Sequence, residues 1–156
     1  MNAADKYKYW VMLSQYDIDT ARVLIDGERW VYVAYMCQQA LERQLKGMYV
    51  YHVGKEAPKA HNLGFLFEKI CAEPQFLSSV SSSLLEAGRD SCEDFLTEVM
   101  FFYMSDYPFS YKKITSRFID GAMARDLFQR TLAQLEWLRS LQPMPETVDI
   151  EELTQR

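Results

Sequence analysis

Two long helical stretches with almost nothing between them constrain this chain more than any other feature. From Asp5 to Asp26, the residues Trp10, Leu13, Asp17, Ala21 and Leu24 recur at the spacing of one helix face. Gly27 is a natural stop. Only Glu28 and Arg29 then precede a second stretch, Trp30 to Val53, which Gly54 and Pro58 break. So short a link folds the two helices back on each other as an antiparallel hairpin. Both helices rise about 1.5 Å per residue, so with the turn near residue 28, residue n faces roughly residue 56 − n.

The hairpin carries polar residues where apolar ones belong. Ala34, Gln38, Leu41, Leu45 and Met48 share a face of the second helix, which puts an amide in an apolar stripe. A buried amide without partners costs on the order of 1–3 kcal/mol, so a partner is expected. The hairpin register places Asp17 opposite Gln39, one position from Gln38. Two readings follow: a carboxylate–amide hydrogen bond that sets helix register, or part of a ligand pocket.

The rest of the chain continues in helices. His61-Asn62-Leu63 opens a short one to about Cys71, with His61 contributing to its cap, and Pro74 interrupts the pattern. Leu77, Val80, Leu84, Cys92, Phe95, Leu96, Val99 and Tyr103 form a long stripe with Gly88 between its halves, read as one bent helix or two. Asp106-Tyr107-Pro108 ends it. Phe109 to Thr115 reads as a loop, and Ile119 to Leu141 as a last helix with Ala122, Leu127, Leu132, Leu135 and Leu138 inward. No alternating strand pattern and no repeat is visible. The fold class is therefore all-α, an up-and-down bundle of about five helices, with residues 1–142 as one domain and 143–156 as an acidic, flexible tail.

Composition narrows the function. A net charge of −5 argues against avid DNA binding, which needs a basic face, though not against a local basic pocket. Cys37, Cys71 and Cys92 are widely spaced and fit reduced thiols in a cytoplasmic protein, not a zinc site or disulfide framework. The first residues do not read as a signal peptide, and no apolar run reaches the roughly 18 residues of a membrane span. Aromatic residues at 14% are in excess, which suits either an interface or a Tyr-rich core.

Catalytic patterns are sparse. The histidines are His52, at the end of the second helix near its negative dipole end, and His61. There is no Gly-rich phosphate loop, no Gly-x-Ser-x-Gly and no paired Glu-x-x-His. Glu42 and Lys46 form an i, i+4 pair that needs no role beyond helix stabilisation. Lys112, Lys113 and Arg117 are a small basic cluster, a solvated loop or a phosphate contact.

Taken in order, several motifs form a family pattern. They are Trp10, Asp17, Ala21 and Leu24; Gln38-Gln39-Ala40-Leu41-Glu42 with Leu45-Lys46; His61-Asn62-Leu63; Tyr107-Pro108; and Ala133 with Glu136-Trp137-Leu138. Over about residues 5 to 141 the chain resembles HEPN-domain proteins, the "higher eukaryotes and prokaryotes nucleotide-binding" family. The resemblance implies a helical bundle like nucleotidyltransferase substrate-binding subunits, and commonly a homodimer. Many prokaryotic members act beside a minimal nucleotidyltransferase, often as a toxin–antitoxin pair. Some are metal-independent ribonucleases; others bind nucleotides or only mediate interactions. The ribonucleases share an Arg, four to six residues and a His, and neither His52 nor His61 has such an Arg before it. Where relatives often read Arg-Tyr-Pro, this chain has Asp106-Tyr107-Pro108.

The expectation is a non-catalytic HEPN-like module, a homodimer that binds a nucleotide, a partner such as a minimal nucleotidyltransferase, or both. Asp17, Gln38, Gln39, Lys46 and Tyr107 are its candidate ligand residues: amides for a base edge, Tyr107 for stacking, Lys46 for phosphate. No catalytic residue, metal or cofactor is implied. The alternative is a divergent metal-independent ribonuclease toxin using Asp106, Tyr107, Lys112 and Lys113.

Overall fold

Side-chain oxygens cap helix starts in the protein, whose structure is a computed structural model describing residues 1–104 and 119–142. Asn2 Oδ1 accepts from Asp5 N at 2.8 Å, Asn62 Oδ1 from Phe65 N at 3.0 Å, and Asp120 Oδ1 from Met123 N at 2.8 Å. Each cap satisfies an amide that has no partner inside the helix and contributes about 1 kcal/mol. The helices are α1 Ala3–Asp26, α2 Trp30–Val53, α3 Leu63–Cys71, α4 Pro74–Ser79, α5 Ser82–Met104 and α6 Gly121–Leu141. The described residues are all-α, without a strand. None of these helices is long and apolar enough to cross a membrane.

The α1–α2 hairpin forms as its short link requires. Its left-handed residue is Glu28, at φ 57°, rather than Gly27, at φ −87°. The register is close to the expected one. Ser14 Oγ donates to the Ala40 carbonyl at 2.7 Å, and a Cβ on Gly47 would stand 2.8 Å from Trp10 Cβ. The helices approach closely at that level because Gly47 has no side chain.

Around the hairpin, α2 is the hub. It packs against α1, α3, α5 and α6, so it is buried on nearly every side: Val33, Cys37, Ala40, Leu41, Leu45 and Met48 all lie in the core. A helix enclosed in this way has no single apolar stripe. Several sequence-based faces shift accordingly. On α1 the core face is Tyr7, Val11, Ile18 and Ala21, while Trp10, Leu13 and Leu24 are only partly buried. On α6, Ala124, Phe128 and Thr131 are buried, while Ala122 is exposed and Leu132 partly buried. Pro74 does more than interrupt: at the first turn, where its missing N–H costs nothing, it opens α4. The stripe around Gly88 is one continuous helix, α5, from which Leu77 is excluded and exposed.

The loop expected at Phe109 to Thr115 and the tail 143–156 lie outside the described residues, as do Asp106, Tyr107, Pro108, Lys112, Lys113 and Arg117.

Candidate functional site

Gln38, Glu42 and Lys46 follow one another at i, i+4, i+8 on α2, facing the segment that enters α3. Gln38 is fully buried, and its Nε2 donates to the His61 carbonyl at 3.3 Å. Gln39 Nε2 donates to Gln38 Oε1 at 2.9 Å. The Glu42 carboxylate, 5% exposed, lies 2.7 Å from His61 Nδ1 and 3.7 Å from Lys46 Nζ. His61 itself is 65% exposed. On the neighbouring face of α2, Arg43 Nη1 bonds Asp17 Oδ1 at 3.0 Å.

The amide and the carboxylate thus do not meet. Both are buried, as their stripes require, but Asp17 is paired with Arg43, and Gln38 with His61 and Gln39. Register fixes the level at which residues stand, not the direction in which they point. At that level Gln38 turns away from α1, toward the α3 entry. His61 is not the α3 cap, which Asn62 supplies; its ring is held by Glu42. Glu42 in turn does more than stabilise its helix with Lys46, since it is buried and binds an imidazole. His52 is buried against Tyr51 and Phe76, each 5.0 Å between centroids. Burial lowers its pKa, so the imidazole is uncharged at neutral pH and supplies no cation to the helix end.

Chemically, the cluster is layered. Two buried carboxylates, Asp17 and Glu42, hold an exposed His61, a partly exposed Arg43 and a largely covered Lys46. A carboxylate on Nδ1 leaves Nε2 as the free edge of an exposed imidazole. Asp17 Oδ2 has no hydrogen-bond partner. Burial pushes the Asp17 carboxyl up to about 6; Arg43 opposes the shift and Glu42 adds to it.

That shift has a measurable consequence. A carboxyl whose folded pKa is raised is proton-bound in the folded state at pH values where the unfolded chain has released it. Stability then falls as pH rises from about 4 to about 6 and stays lower above that window. The full effect is at most roughly 3 kcal/mol, at about 1.4 kcal/mol per pKa unit. Asp17→Asn is expected to flatten this slope, measured by denaturant titrations across the window. Equal slopes in variant and parent would show that Asp17 titrates normally.

A second polar network, which the sequence reading missed, ties α1, α2 and α6 together. Tyr7 Oη donates to the Gln142 carbonyl at 2.7 Å and accepts from Gln44 Nε2 at 3.1 Å. Arg139 Nε donates to Gln44 Oε1 at 3.1 Å, and its Nη2 to Ser14 Oγ at 3.4 Å. Burial pushes Tyr7 up to about 12 and lowers Arg139. Tyr7 and Gln44 are fully buried and satisfied, so the network is structural. Buried thiols are likewise inert: burial raises Cys37 to about 11, Cys71 to about 11 and Cys92 to about 12. Among the described residues no group of three or more His, Cys, Asp or Glu side chains is placed to hold a metal ion.

Comparison with known families decides the identity. The HEPN domain model matches residues 7–115. The chain belongs to the HEPN family. Comparisons with curated proteins and with solved structures return no match. The matched span contains all of α1 to α5 except the first residues of α1, and with them the whole Asp17–Gln38–Glu42–His61 cluster.

Of the sequence-based site residues, the HEPN fold brings Asp17, Gln38, Gln39 and Lys46 to one region, while Tyr107 lies outside the described residues. Glu42, Arg43 and His61 were missed as site residues. One signal pointed to them: Gln38, Glu42 and Lys46 recur every four residues, so whatever bonds Gln38 also borders Glu42.

Proposed function

We propose that this HEPN domain is a binding module that takes a nucleotide on the rim of Arg43, Lys46 and His61. HEPN membership supports a nucleotide- or RNA-related role in general. The observation that carries the finer reading is the layering of the cluster. Buried Asp17 and Glu42 hold the heads of Arg43, Lys46 and His61, whose side chains are 31%, 13% and 65% exposed, and a phosphate would meet the N–H groups these pairs leave free. Gln39, partly buried beside them, supplies an amide for a base edge, and the imidazole a face for stacking. In this reading Lys46 keeps the phosphate role expected of it, Gln38 becomes a positioning residue for His61, and Asp17 one for Arg43. The module acts as a homodimer in the cytoplasm, beside a partner such as a minimal nucleotidyltransferase, in a toxin–antitoxin setting.

Calorimetric titration with mono-, di- and triphosphate nucleotides tests this. Micromolar binding is expected for the parent, weakened at least 10-fold in Arg43→Ala, since a charge-assisted hydrogen bond contributes about 1.5–3 kcal/mol. No heat with any nucleotide would sink the proposal.

One observation favours a second reading, the ribonuclease. Glu42 orients His61 as a carboxylate orients a general base, leaving Nε2 exposed. Catalysis would then rest on His61 rather than on Asp106, Tyr107, Lys112 and Lys113. Purified protein that leaves RNA intact would remove it; cleavage that His61→Ala abolishes would replace the binding reading.

A further inference from the structure

With an uncharged imidazole, the charges of the Asp17–Glu42 cluster cancel. Asp17 and Glu42 bring two negative charges, and Arg43 and Lys46 two positive ones. A phosphate adds at least one more negative charge, so its binding favours a group in the cluster that can take up a proton. The two carboxylates differ in this respect. Glu42 Oε1 meets both Lys46 and His61. Asp17 meets Arg43 through Oδ1, while its buried Oδ2 has no hydrogen-bond partner, so a proton placed there displaces no donor. Burial already pushes this carboxyl up to about 6, with Arg43 opposing the shift and the Glu42 charge adding to it. The charges on the other elements point elsewhere. α6, also packed on α1, turns Arg139 to Ser14 and Gln15, and on α1 itself Asp19 pairs with Arg22 at the exposed surface.

We infer that a phosphate at this site competes with Asp17 for the charge of Arg43, so that binding is coupled to uptake of a proton by the Asp17 carboxyl. The inference rests on the nucleotide reading above and adds its regulation. Arg43 Nη1 stays on Asp17 Oδ1 while its other N–H groups meet the phosphate, which leaves one guanidinium between two anions. Those anions repel across a partly buried site, where salt and water screen less than at the surface. A proton moving from solvent to Oδ2 removes the carboxylate charge and keeps Oδ1 as an acceptor, so Arg43 stays oriented. A bound phosphate raises the Asp17 pKa beyond its value in the free protein. Affinity therefore rises as pH falls from about 8 to about 6 and levels off below that window. Mild acidification thus loads the site at a constant nucleotide concentration.

Asp17→Asn mimics the protonated carboxyl: it keeps an oxygen for Arg43 without the charge. Calorimetric titration with AMP compares this variant with the parent, and circular dichroism checks that both are helical. The titration of AMP and that of His61 are common to the two proteins, so the ratio of their affinities reports on position 17. Asp17→Asn is expected to bind AMP roughly 10-fold more tightly than the parent at about pH 8 and within about two-fold of it at about pH 5.5, a factor of ten being one unit of pKa displacement. The parent gives a second readout. Heats measured near about pH 7 in buffers of different ionisation enthalpy are expected to show proton uptake on binding, which His61→Gln retains and Asp17→Asn loses. An equal affinity ratio at both pH values, or uptake lost in His61→Gln and kept in Asp17→Asn, would overturn the coupling and leave the nucleotide site standing. Weaker binding by Asp17→Asn at both pH values would also overturn it, since Asp17 would then only orient Arg43. No heat from parent or variants at either pH would overturn the coupling and the binding reading together.

Discussion

Phe67→Ala is expected to destabilise the protein by about 3–5 kcal/mol, the cost of a Phe removed from a closed core. Phe67 is fully buried on α3, and its ring lies 6.2 Å from that of Trp137 on α6. α3 has only nine residues, too few to persist on propensity alone, so packing against α2 and α5 holds it. The effect reaches the candidate site. His61 and the cap residue Asn62 immediately precede α3, and the Glu42–His61 and Gln38–His61 contacts depend on where that helix starts. On the proposed binding reading, nucleotide affinity is expected to fall with stability in this variant. Urea titration reads the stability directly, as a lowered midpoint with an unchanged slope. A loss under 1 kcal/mol would mean that the ring does not anchor α3.

Gly88→Ala has the next largest expected effect on stability, and its sign is the informative part. In the middle of an exposed helix, glycine to alanine gains about 1 kcal/mol from propensity. Here a Cβ would stand 2.4 Å from Trp137 Cε2, 2.5 Å from Nε1 and 2.7 Å from Cζ2. No side chain tolerates such contacts, so α5 and α6 must separate or Trp137 must leave the side of Phe67. The expected net loss is about 2 kcal/mol, typical of overpacking. Trp137→Leu in the same chain is expected to recover most of it, since the two changes share one contact and will not add. Stabilisation by Gly88→Ala alone would show that the indole has room to move.

Much of this fold was legible because local chemistry and global packing agree. The hairpin follows from two apolar-periodic stretches and a link too short for any other path. The helix starts at Asn62 and Leu63 and the stop at Gly54 follow from capping chemistry. Faces were harder. On α1 the spacing favours Trp10, Leu13 and Leu24 beside Asp17 and Ala21; the last two are buried, but Tyr7, Val11 and Ile18 lie deeper than the first three. An amphipathic helix with apolar residues on both sides does not say which side meets the core, and here the other side carries Tyr9, Tyr16 and Val23. At the candidate site, burial of Gln38 and Asp17 was legible, but their partners were not. Arg43 is 26 positions from Asp17 and His61 is 23 from Gln38, and no local pattern encodes such a pairing.

By itself the sequence determined the all-α class, the two long N-terminal helices, their antiparallel hairpin and its approximate register, the presence of polar groups in the seam, and the family. Spacing and chain connectivity suffice for these, because each depends on neighbours within a few turns. Only the tertiary structure decided that Glu42 holds His61, that Arg43 rather than an amide meets Asp17, and that Gly88 makes room for Trp137. Those contacts join residues many turns apart in the chain, and which of them form depends on how α2, covered on nearly every side, divides its faces among its neighbours.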